Sequence, residues 1–70
     1  MRTWLKEKRQ AAGLTMAQMA EKLWITESYY SNIEAGKRQK ELDLTIAAQL
    51  AQILHMSIEE IVACEKEVKE

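Results

Sequence analysis

The chain has no proline and no phenylalanine, and only two glycines, one cysteine and one histidine among its 70 residues. Each scarcity excludes something. The absence of proline, with the high apolar content, favours a compact helical domain over disorder. One cysteine cannot form an internal disulfide, which fits a reducing, cytoplasmic setting. His55 and Cys64 together fall short of the ligand set that a zinc site needs. No apolar run reaches the ~18 residues of a membrane span, and no apolar core follows a basic start as in a secretion signal. No segment alternates apolar and polar side chains over a strand's length. Neither a carboxylate pair nor a glycine-rich phosphate loop stands out, and no residue nominates itself as a nucleophile. The expectation is a protein that is not an enzyme and takes neither a cofactor nor a metal.

What is present is helical patterning. Apolar residues make up 47% of the chain, enough for a core, although a chain this short buries only about 60% of its unfolded surface and is marginally stable. The first helix is expected over Thr3–Ala12, with Trp4, Leu5 and Ala12 on or near one face and Gly13 at its end. Thr15 and Thr26 each stand where a hydroxyl can accept a backbone N–H left free at a helix start. Between them Met19, Ala20 and Leu23 share one helical face, and after them Tyr30 and Ile33 share another. Gly36 stops the helix that Thr26 begins. Residues 15–36 thus read as two short helices joined by a tight turn, a helix-turn-helix whose second member fits the major groove of DNA.

A polar loop, GKRQKELD, follows. Asp43 is the expected cap of a fourth helix, in which Leu44, Ala47, Leu50, Ala51 and Leu54 face the core. After His55 and Met56, Ser57 caps a fifth helix, about 57–67, with Glu60 at capping-box spacing. Ile58, Ile61 and Val62 form its apolar edge, and the charged tail from Glu65 is expected to fray. The predicted fold is all-α, one five-helix unit over residues 1–70.

Net charge is −1, but its distribution is uneven. Residues 1–40 carry eight Lys/Arg against four Glu, whereas residues 41–70 carry two Lys against seven Asp/Glu. The front half suits phosphates, and the acidic rear half is repelled by them. Lys37, Arg38 and Lys40 form a basic run that neutralises phosphates without reading sequence. The facing of Arg2 and Lys6, which carry the same charge, is open.

In register, Arg9, Gly13-Leu14-Thr15, Met19-Ala20, Ile25-Thr26, Ser31, Ile33-Glu34 and Gly36-Lys37-Arg38 resemble the phage-repressor-like, Xre/Cro-type helix-turn-helix transcriptional regulators, from Leu5 to Ile61. The resemblance implies a compact lambda-repressor-like bundle that binds operator double-stranded DNA as a homodimer in a prokaryotic or phage setting, usually as a repressor. It places Glu27, Ser28 and Asn32 at base-reading positions, with Ser31 at the edge of that face and Tyr29 toward sugar or phosphate. It also pairs Arg9 of the first helix with Glu34 at the end of the recognition helix.

Three departures from the family pattern stand out. Trp24 occupies the turn position where glycine is usual, at a strain of roughly 1–2 kcal/mol unless the indole packs on a neighbour. Met16 replaces a glutamine that contacts phosphate and cannot donate a hydrogen bond. The loop after Arg38 is longer and lacks proline. With the mild net charge, Met16 and Trp24 also suit a rival role, a protein-interaction module such as an antitoxin or phage accessory protein. A dimer surface is offered by the last helix (Ile58, Ile61, Val62, Val68) or by the loop around Leu42.

Overall fold

Helix starts follow the capping side chains. The computed structural model describes residues 1–37 and 42–67. It consists of α1 (Thr3–Ala11), α2 (Met16–Leu23), α3 (Glu27–Ala35), α4 (Leu44–Leu54) and α5 (Ile58–Lys66), with no strand among the described residues. The Thr15 hydroxyl accepts the Gln18 N–H at 3.1 Å, and the Gln18 side chain accepts the Thr15 N–H at 2.9 Å. Ser57 and Glu60 make the same reciprocal pair at the start of α5, both bonds at 3.0 Å. Thr26 accepts from Tyr29 N–H at 3.1 Å, and the Asp43 carboxylate from Ile46 N–H at 2.8 Å. These bonds satisfy donors that the first turn cannot pair internally. α1 has no side-chain cap; it starts from Arg2.

The other ends are set by backbone conformation. Trp24, Gly36 and His55, which follow α2, α3 and α4, are left-handed, with φ of 60°, 80° and 55°. At Gly36 the requirement for glycine is the positive φ; an added Cβ would make only ordinary contact, 3.5 Å from the nitrogen of Met1.

The core is built from Leu5 of α1, Met19, Ala20 and Leu23 of α2, Tyr30 and Ile33 of α3, Ile46, Ala47 and Leu50 of α4, Met56, and Ile61 of α5. α2 lies against both α3 and α4, α1 against α3, and α5 against α4. The Cα radius of gyration of 10.8 Å is close to the ~11 Å of a compact chain of this length. No helix among the described residues is long and apolar enough to cross a membrane.

Several expectations are corrected. Leu44 is 78% exposed, and Ile46 takes the core place instead. The buried stripe of α4 is centred on Ile46, Ala47 and Leu50, and Leu44 stands roughly a third of a turn away from it. Ala12 is exposed because α1 ends one residue sooner, with Ala12 as its cap. On α5 only Ile61 is buried, while Ile58 and Val62 are partly exposed. Glu65 does not belong to a frayed tail; it lies within α5 and takes part in a long-range knot. Val68 is outside the described residues.

That knot involves the first residues of the chain. Arg2 is 1% exposed. Its Nε donates to both oxygens of Glu65 at 3.1 and 3.0 Å, and its Nη1 donates to the Ile33 carbonyl at 2.7 Å. Trp4 Nε1 donates to the same Glu65 carboxylate at 2.8 Å, and the Arg2 N–H donates to the Glu34 carbonyl at 2.7 Å. The N-terminal segment is stitched between the end of α3 and α5.

Candidate nucleic-acid interface

The interface begins with the two faces of α3. Tyr30, Ile33 and Glu34 point into the molecule and are buried. At helical spacing the opposite side carries Ser28, exposed, and Ser31 and Asn32, both half-buried; Glu27, on the same helical row as Tyr30 and Glu34, is exposed in the first turn. Tyr29 packs partly against the core from the edge of this face. Glu27 lies in the first turn, where its carboxylate also complements the positive end of the helix dipole. Glu27, Ser28, Ser31 and Asn32 all offer hydrogen-bonding groups of the kinds that distinguish base edges in a major groove.

The inward face is locked. Arg9 Nε donates to Glu34 Oε2 at 2.7 Å, and the Tyr30 hydroxyl donates to the same oxygen. A second Arg9 nitrogen donates to the Leu14 carbonyl at 2.8 Å. The hydrogen bond to Glu34 raises the Arg9 pKa against the opposing effect of burial, so the guanidinium stays charged. Burial, and then the bond to Glu34, push the Tyr30 phenol well above its usual value, so it remains a donor. No buried side-chain nitrogen or oxygen among the described residues lacks a partner. The sides of α3 therefore divide cleanly: a charge network and core inward, free polar groups outward.

Of the basic residues, Lys37 is exposed just beyond α3, while Arg38 and Lys40 lie outside the described residues. Arg2 is corrected: its guanidinium is engaged by Glu65 and Ile33 and does not reach an external phosphate. Lys6 is half-buried. Met16 packs against the core with part of its surface. Trp24 has the backbone that the turn demands, but the indole is 90% exposed, so no packing offsets its strain. His55 ends α4 in the left-handed region, and Cys64 is half-buried on α5.

The arrangement is two helices in sequence, α2 and α3, turned through a left-handed residue, with the polar face of the second left open. The sequence profile of the Xre/Cro-type helix-turn-helix family matches residues 5–61. The chain belongs to this family. Searches of curated proteins and of solved structures give no match. Members of the helix-turn-helix family are DNA-binding transcriptional regulators, and at that general level so is this chain. Within this helix-turn-helix chain, sequence reasoning missed that Arg2 bonds the end of α3 while held by Glu65, which also accepts from Trp4. The only local signal was an arginine directly before a helix with no capping side chain, and that does not name a partner.

Proposed function

We propose that the chain is a sequence-specific repressor that occupies an operator with α3 in the major groove. The observation that carries this reading is the division of α3: Ser28 and Asn32 face outward, with Glu27 exposed in the first turn, while Tyr30, Ile33 and Glu34 anchor the inward side. In this docking mode the N-terminal part of the second helix reads base edges. Asn32 can pair bidentately with adenine, Glu27 can accept from cytosine N4, and Ser28 can bond either. Ser31 contributes at the edge, Tyr29 meets sugar or phosphate, and Lys37, Arg38 and Lys40 neutralise the backbone. One such helix makes few base contacts, so two copies on a two-fold site are proposed, in a cytoplasmic setting.

Selection from random duplex DNA at about 100 mM salt tests this directly. Enrichment of a symmetric site, with half-sites about one helical turn apart and lost in Asn32→Ala, is the expected result. The second reading, a protein-interaction module, draws on the exposed indole of Trp24. It predicts no enrichment and little duplex binding even at low salt.

A further inference from the structure

Two non-glycine residues of the described chain have positive φ, Trp24 at 60° and His55 at 55°. Histidine is among the residues that visit the left-handed region with some frequency, whereas a bulky aromatic there is an outlier. Trp24 gains nothing visible in exchange, since the ring is 90% exposed. Such strain concentrates at functional sites. Its place is specific: it lies two residues before Thr26, the cap of α3, and three before Glu27. Chain length alone keeps it within about 11 Å of Glu27. The exposed ring hangs from the turn that leads directly into the helix proposed to enter the groove.

We propose that Trp24 is a DNA-contact residue, its indole lying against the deoxyribose or thymine-methyl surface of the groove wall next to the base pair met by Glu27 and Ser28. The proposal rests on the operator-binding reading and adds an apolar contact to it. An indole offers a wide apolar face and one N–H donor, which suits sugar and methyl surface with a phosphate at its rim. It supplies affinity without adding positive charge, at the opposite end of α2 from Met16. An apolar contact of this kind releases no counterion and so leaves the salt dependence alone.

The test uses the full chain, a fluorescein-labelled mixed-sequence duplex of about 20 base pairs and anisotropy titrations at several salt concentrations. Three variants are compared with the parent: Trp24→Gly, Trp24→Phe and His55→Gly. Glycine relieves left-handed strain at either turn, so Trp24→Gly and His55→Gly keep or raise Tm. The expected result is a loss of duplex affinity of about fivefold or more in Trp24→Gly, the size of a modest base-edge contact. The salt slope is unchanged, Trp24→Phe recovers most of the affinity, and His55→Gly binds as the parent does. By contrast, Lys37→Ala lowers the slope by about 1. Duplex affinity in Trp24→Gly equal to that of the parent overturns the proposal while leaving the operator reading intact. Absence of duplex binding by the parent chain itself overturns both.

Discussion

Glu34 is the residue on which the inward side of α3 depends. Its carboxylate, 3% exposed, takes a hydrogen bond from Arg9 and another from Tyr30. Removing it leaves a buried guanidinium and a buried hydroxyl without their acceptor. Glu34→Ala is therefore expected to lose about 3–5 kcal/mol, most of what a chain of this size has, and Glu34→Gln less. A thermal melt at neutral pH checks this; an unchanged Tm would show that the pair is ornamental. Tyr30 adds a pH signature. Its phenol is held above the ordinary value of 10.0 in the folded state, so its contribution is complete below that pH and is lost as pH rises above it, because unfolding then releases a proton. Urea midpoints at about pH 9 and about pH 11 should fall in the parent and fall less in Tyr30→Phe.

The elements are held at their ends more than by their lengths. Each of α2 to α5 has a side-chain cap, and the longest helix has 11 residues, short enough to be marginal alone in water. Thr15→Ala, which opens the capping box of α2, is expected to lose about 1 kcal/mol, read from the urea midpoint, with hydrogen exchange quickened first at Gln18. Glu60 is kept below its ordinary carboxylate value by the backbone and hydroxyl of Ser57, so the α5 cap weakens as pH falls. α5 also depends on an element far from it in sequence. Arg2→Ala removes the cation that faces Glu65 and frees the carbonyl of Ile33. Hydrogen exchange in that variant should rise in α5 and in the last turn of α3 together. Protection lost in α5 alone would mean that Arg2 does not link the two helices.

At the scale of the whole molecule, folding partly undoes the charge imbalance of the sequence. Basic residues dominate positions 1–40 and acidic ones positions 41–70, but Arg2 sits on Glu65 and Lys8 lies near Glu60, so the two halves of the sequence are not two faces of the molecule. Arg2 and Arg9 are both consumed by internal carboxylates, Glu65 and Glu34, and the outward positive charge is smaller than a count of the front half suggests. Duplex affinity should still fall steeply between about 50 and 200 mM salt, through the lysines and arginines left outward. A flat salt response would place the binding energy elsewhere and favour a protein partner.

Much of this was legible in the sequence. The four capping residues, the glycine at the end of α3, and the faces of α2 and α3 were readable because capping and helical periodicity involve residues at most four apart, which interact before any tertiary structure exists. The outward placement of Ser28 and Asn32 agrees with the same period, whereas Glu27, seven residues before Glu34, was singled out by the resemblance. The Arg9–Glu34 pair was implied by resemblance, and folding brings it to 2.7 Å. Other features belong to the folded chain alone. Periodicity placed Leu44 on a core face, but the docking of α4 on α2 chose a stripe that leaves it in solvent. Trp24 marked a strained turn, yet only the packing of α2 and α3 shows that no neighbour shelters its ring. The bond between Arg2 and Glu65 spans 63 residues of sequence, and no local pattern names partners so far apart. Short-range bonding was written in the order of the residues, whereas contacts across the bundle depend on how five amphipathic helices share one small interior.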